Sequence, residues 1–222
     1  MTCVAEDFYY ALKELFLTSA GCLNQLKFKQ DHPFFIFGES YGGKYAPAIG
    51  EKILREAQDN NGSITGLKGV AIGDGFTHPG AILSQVGEYA YNLGLLDYQE
   101  RSTIEQMILN ATFQERRRYW RDLHDTFDNT LDLIVNLAGG VNVYDITKYR
   151  DYPDLIINEY LSNYDTQTLF GLKRDIVFGS QSDHVYEYMY EDFMMPYVHL
   201  VEEVLRRKCK VMVYNGQNDL IV

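Results

Sequence analysis

Four consecutive apolar residues, Phe34 to Phe37, run straight into Gly38-Glu39-Ser40-Tyr41-Gly42-Gly43. The apolar run reads as a short buried strand. The polar residues fit G-x-S-x-G, the pattern of a serine at a tight strand-to-helix turn. Chemistry explains the spacing. A serine on such a turn sits on strained backbone that only small neighbours clear. Its hydroxyl then stands above the sheet, at the start of the next helix. The amide of Tyr41 would face an oxyanion formed at Ser40. The bland alternative is a glycine-rich turn with an ordinary serine.

The rest of the chain supplies the context this motif needs. Apolar residues at Phe8, Leu12, Leu15 and Phe16 give a first helix over residues 5–17. After Ser40 a helix is expected from about Gly42 to Ala57, with Pro47 in its first turns. Leu67 to Ile72 is the next strand, closed by Gly73-Asp74-Gly75. Helix, strand, helix, strand implies a mostly parallel sheet covered by helices. Residues 81–93, 98–109 and 113–137 are helical in pattern, and no convincing strand lies between Ile72 and Leu172. Helices are also expected from Pro153, over 183–190 and over 193–207. Lys210 to Tyr214 resumes the sheet and ends in Asn215-Gly216-Gln217-Asn218-Asp219. The expected division is a hydrolase-type core over 1–80, a helical cap over 81–172 and a return to the core over 173–222.

A length of 222 residues, 46% hydrophobic and 14% aromatic, suits one large folded domain. A net charge of -11 argues against nucleic-acid binding, which wants a positive field. No apolar run is long enough for a membrane span, and no signal peptide opens the chain. Cys3, Cys22 and Cys209 are scattered, so no zinc or redox pair is indicated and neither metal nor cofactor is expected. Asn61-Gly62-Ser63 and Asn110-Ala111-Thr112 are glycosylation sequons, leaning toward a secretory route.

A serine hydroxyl needs a base, and on this fold the order is serine, acid, histidine. Ser40 supplies the first, and Asp219, at the end of a strand, the second. No histidine follows Asp219. Among His32, His78, His124, His184 and His199, only His78 lies in a loop after a strand, where it could approach the site.

These motifs together resemble the serine carboxypeptidases (peptidase family S10), most closely their vitellogenic-like branch. Gly38 to Ile49 resembles the nucleophile motif, with Gly42 where alanine is usual. Gly69 to Gly75 and Val213 to Asp219 resemble the second motif and the segment of the triad aspartate, and Gly94-Leu95-Leu96-Asp97 also fits. The resemblance implies an α/β-hydrolase fold with a mostly parallel sheet and an inserted helical cap, here incomplete at both ends. It implies a serine-type carboxypeptidase acting through an acyl-enzyme on peptide and protein C-termini. Ser40 is then the nucleophile, Asp219 orients the histidine, Tyr41 gives an oxyanion amide, and Glu39 shares a proton with the substrate carboxylate. It also implies a lysosomal or extracellular protein.

The departures are equally specific. The family's upstream Trp-x-Asn-Gly-Gly-Pro-Gly motif is not found, its cap cysteines lack counterparts, and its downstream histidine segment is missing. His78 stands where an aspartate is common. Residues 1–222 alone are therefore expected to be inactive. Two other readings stand beside this one: a catalytically dead binding or interaction protein, and an unrelated hydrolase using His78. A homodimer stays open.

Overall fold

The computed structural model describes residues 1–17, 28–60, 62–149, 155–172, 177–179 and 181–222. Helix α1 (Thr2–Leu17) comes first, then strand β1 (Phe34–Ser40), helix α2 (Gly42–Asp59) and strand β2 (Leu67–Gly75). A helical stretch follows: α3 (Pro79–Asn92), α4 (Tyr98–Arg117), α5 (Trp120–Leu137), α6 (Leu155–Ser162), α7 (Tyr164–Leu169), α8 (Asp183–Met194) and α9 (Val198–Arg206). Strand β3 (Lys210–Tyr214) closes the order. Among the described residues, none between Gly75 and Lys210 joins the sheet.

The three strands pair in the order β1-β2-β3, all parallel. Parallel pairing places all three C-terminal ends at one edge, the edge where open α/β sheets hold ligands. One face of the sheet carries the row Ile36, Val70 and Val211. It packs under α1, α2 and α9 in a core that includes Ile49, Ile53, Ile64 and Val204. A second core is helical. Leu83, Ile104, Leu123, Phe127, Ile134 and Met194 fill it, and Phe76 and Leu220 reach it from the ends of the sheet segments. This arrangement, a parallel sheet with helices and a large helical insertion, is an α/β-hydrolase fold.

Several expected boundaries shift, each for a local reason. The expected break near residues 110–112 does not exist. The backbone runs as one helix to Arg117, and the turn comes at Arg118, whose φ of 59° ends α4. The helix expected over 193–207 is divided, because Pro196 cannot continue one, and its first residues close α8 instead. Strand β2 extends through Gly75, past the expected end at Ile72. Pro153, Cys22 and Asn61 lie outside the described residues. Cys3 and Cys209 are free thiols. Among the described residues no helix is long and apolar enough to cross a membrane.

Candidate active site

Ser40 is the last residue of β1, and one residue, Tyr41, separates it from α2. Its φ is 53°, in the left-handed region that side chains other than glycine occupy at a cost. The strain persists because close neighbours enforce it. A Cβ on Gly38 would lie 2.4 Å from the Gly42 carbonyl oxygen, and one on Gly43 would lie 2.8 Å from the Gly75 backbone. The turn therefore needs glycine on both sides of the serine. The Phe76 amide donates to the Ser40 carbonyl at 2.8 Å, tying the turn to the end of β2. Ser40 and Glu39 are both exposed.

Asp219 follows β3 by five residues and lies beyond the same sheet edge. The amides of Ile221 and Val222 donate to its Oδ1 at 2.8 and 3.0 Å. Partial burial pushes its carboxyl up. The two amides pull it down, and the charges of Asp74 and Glu39 push it up further. Asp74, itself at φ 40°, accepts the Gly216 amide at 2.6 Å and so joins the end of β2 to the turn that carries Asp219. The same turn is held from the helical side. Ile146 donates to the Asn218 carbonyl at 3.0 Å, and Leu220 to the Val143 carbonyl at 2.8 Å. The Tyr89 hydroxyl donates to the Gln217 carbonyl at 2.6 Å.

Two of the five histidines, His78 and His124, are occupied elsewhere. His78 Nδ1 accepts the Ala81 amide at 2.9 Å and caps α3, and its Nε2 lies 3.4 Å from Glu115. His124 is buried, with Nδ1 donating to the Tyr190 carbonyl at 2.7 Å and Nε2 bonded to the Tyr186 hydroxyl at 2.9 Å. Among the described residues no histidine hydrogen-bonds Ser40 or Asp219. His78 thus has a capping role that its place before Pro79, at a first helical position, could have announced.

Asn110 is exposed but sits within α4, where the Thr112 hydroxyl donates to the Ile108 carbonyl at 2.9 Å. Among the described residues no group of three or more His, Cys, Asp or Glu side chains is arranged to hold a metal ion.

Sequence reasoning missed one buried pair beside the elbow, the tight strand-to-helix turn that carries Ser40. Lys44 is fully buried, and burial brings its ammonium down to about 7 against the pull of the Asp192 carboxylate. Asp192 accepts the hydroxyl of Tyr41 and that of Tyr197, the latter at 2.7 Å. Both phenols are pushed well above their ordinary range, first by burial and then by the carboxylate. No short sequence pattern announces this contact, because its partners lie about 150 residues apart.

Comparison with known proteins agrees with the geometry. The serine carboxypeptidase profile of peptidase family S10 matches residues 2–222, and the chain belongs to that family. It is 31% identical to "Serine carboxypeptidase-like 50" of Arabidopsis thaliana, over 98% of this chain and 46% of that protein. It is 30% identical to the human "Retinoid-inducible serine carboxypeptidase" over 99% of this chain and 52% of that protein. Similarity of 29% to the human "Probable serine carboxypeptidase CPVL" accords with the vitellogenic-like branch. The crystal structure of a prohormone-processing carboxypeptidase from Saccharomyces cerevisiae superposes with a TM-score of 0.69, at 20% identity, over 86% of this chain and 46% of that one. The chain thus spans about half the length of the relatives it matches.

Proposed function

We infer that the protein is a serine-type carboxypeptidase, releasing C-terminal residues from peptides through an acyl-enzyme intermediate. One observation carries this reading: Ser40 sits at φ 53° on the C-terminal end of a parallel strand, at the head of a helix. Asp219 lies beyond the same edge. Ser40 attacks the scissile carbonyl, and the carbonyl oxygen, now negative, takes a hydrogen bond from the Tyr41 amide. An imidazole between Ser40 and Asp219 takes the serine proton and returns it to the leaving amine. Asp219 orients that imidazole. Water then cleaves the acyl-enzyme by the same proton route. Glu39, next to the nucleophile, shares a proton with the substrate's terminal carboxylate, a pairing that favours acidic working conditions. This reading calls for an imidazole other than those of His78 and His124, which are committed to other partners. Family membership makes a secretory route, lysosomal or extracellular, the matching location.

The test compares residues 1–222 with the full-length gene product, each with a Ser40→Ala control, on N-blocked dipeptides at mildly acidic pH. Serine-dependent release of the C-terminal residue by the full-length product alone is expected. Undiminished turnover in its Ser40→Ala variant would refute the role of Ser40. Inactivity of the full-length product, with retained binding of peptide C-termini, would favour a catalytically dead binding protein.

A further inference from the structure

The feature beside the elbow that the reaction above does not use is the buried Lys44. It lies three residues after Tyr41, on the same face of the first turn of α2. Its ammonium has three protons and three acceptors: the carbonyls of Asp192 at 2.7 Å, Phe193 at 2.6 Å and Met195 at 3.0 Å. Those carbonyls belong to the C-terminal end of α8, where the helix leaves its last acceptors without internal partners and carries a partial negative charge. The rings of Tyr41 and Tyr197 lie within 5.3 Å of the same nitrogen. Lys44 therefore fastens the end of α8 to the start of α2.

That fastening places one side chain. Asp192 is the first of the three carbonyl residues, and with its backbone held its carboxylate meets the Tyr41 hydroxyl on one oxygen and the Tyr197 hydroxyl on the other. The Tyr41 ring is further flanked by Phe193 at 5.1 Å and Tyr45 at 5.0 Å between centroids. Tyr41 is thus gripped at its far end by a charge-assisted hydrogen bond and along its sides by rings. Its backbone follows Ser40 directly, at φ -58° and ψ -20°.

We propose that Asp192, seated by Lys44, is a positioning residue for the nucleophile elbow: its carboxylate holds the Tyr41 hydroxyl and so fixes the backbone amide that follows Ser40. This rests on the assignment of that amide to the oxyanion. A misplacement of about 1 Å in such a donor can cost up to about a hundredfold in rate. Docking α8 for stability alone would need the three carbonyl bonds of Lys44 but not the phenol on the carboxylate.

The test uses the full-length gene product and its Asp192→Asn, Tyr41→Phe and doubly substituted variants. Asparagine keeps the shape and one acceptor oxygen. Phenylalanine keeps the ring and removes only the hydroxyl. Each single variant is expected to lower kcat about tenfold or more with KM nearly unchanged. The double variant is expected to be no slower than the worse single, because the two groups act as one unit. Unchanged kcat in folded Asp192→Asn, or losses that multiply in the double variant, would overturn the proposal. A second readout does not depend on turnover. Amide hydrogen exchange over residues 41–44 is expected to quicken in Asp192→Asn, with α3 to α5 unaffected. If Ser40-dependent turnover is absent from the wild-type protein, the carboxypeptidase reading fails and exchange alone decides: unchanged protection at the elbow rejects the clamp.

Discussion

The sheet core and the helical core are enclosed to different degrees. In the helical core, residues of this chain surround Ile104, Leu123 and Ile134 completely. In the sheet core, α1, α2 and α9 cover one face, while the row Phe37, Ala71 and Met212 lies on the other. There Phe37 is 68% and Met212 51% exposed. The candidate site lies where these two regions meet. Ser40 and Gly75 belong to the sheet, whereas Phe76 and Leu220, one residue beyond Gly75 and Asp219, are buried among helices. Ser40 is thus placed by close backbone contact within the sheet, and Asp219 by hydrogen bonds between its turn and the loop at 143–146. A perturbation of either core should therefore disturb a different partner of the pair.

At the candidate site the largest effect on stability is expected from Gly43→Ala. Its Cβ would press on the Gly75 and Phe76 backbone at 2.8 Å, and backbone cannot swing aside. Overpacking of this kind costs about 3 kcal/mol, which lowers Tm by roughly 10 °C in a chain of this size. Gly42→Ala is the control, since nothing lies within 4 Å of its Cβ. It should raise stability by about 0.5 kcal/mol, by restricting the unfolded chain at a helical position. Thermal melts of both variants decide the matter. Equal melts would mean that the sheet-side contact does not hold the turn.

The contrast between the two sides also explains what could be read from sequence. The elbow was legible because every residue that defines it is local: an apolar run, three glycines and a serine within ten positions. Asp219 was legible because a strand followed by polar residues marks the sheet edge. The end of α4 was not, since Arg118 adopts its left-handed turn with neither glycine nor proline to announce it. Pro196 did announce a break, and periodicity across it outweighed that signal. The Lys44–Asp192 contact could not have been read, because a lysine in an amphipathic helix is ordinarily solvated and only the folded chain brings α8 over it.

That contact gives the next largest effect, and its sign follows from the buried ammonium. Lys44 loses its proton near pH 7 when folded but near 10.5 when unfolded. Between those values the unfolded chain binds more protons, so stability rises with pH. The full cost of the buried charge is present below the folded value. The slope is at most about 1.4 kcal/mol per pH unit. The neighbouring phenols of Tyr41 and Tyr197, pushed upward, remain protonated through this window. Urea titrations of wild type and Lys44→Met across it should differ in slope, with the variant flatter. Parallel profiles would show that Lys44 keeps its charge throughout.

On the helical side, Asp97→Ala should cost about 1 kcal/mol. Its carboxylate accepts the Glu100 amide at 2.8 Å, and the Glu100 carboxylate returns a bond to the Asp97 amide at 2.7 Å. Denaturant melts should show the loss while Ser40-dependent turnover per folded molecule stays the same. A fall in turnover would mean that the loss of this cap is carried through the helical core to the Asp219 turn. Asp219→Asn should act in the opposite direction on stability. The carboxyl is pushed up in the folded state, so its charged form is a burden above that raised value and the burden fades on acidification. Asparagine keeps the oxygen that Ile221 and Val222 bond. A Tm gain of about 1–3 °C at neutral pH, shrinking toward acid, is expected with loss of turnover. A lower Tm at neutral pH would show that the ionised carboxylate stabilises the turn.

The smallest effect should come from the bare face of the sheet. In residues 1–222, Phe37 already meets water over most of its surface, so Phe37→Ser removes little buried area. Its cost should stay within about 0.5 kcal/mol in denaturant melts. A matching loss in the helical core, such as Leu123→Ala, should cost about 2–5 kcal/mol, because Leu123 is fully enclosed and its removal leaves a cavity. The ratio of the two measures how unevenly the cores are enclosed. The same Phe37→Ser substitution in the full-length gene product turns the ratio into a probe of that face. A cost that rises to the level of Leu123→Ala would place Phe37 in an interior there, with the sheet covered on both sides. A cost that stays small would leave the asymmetry as a property of the mature fold. A large cost in residues 1–222 alone would contradict the one-sided sheet described here.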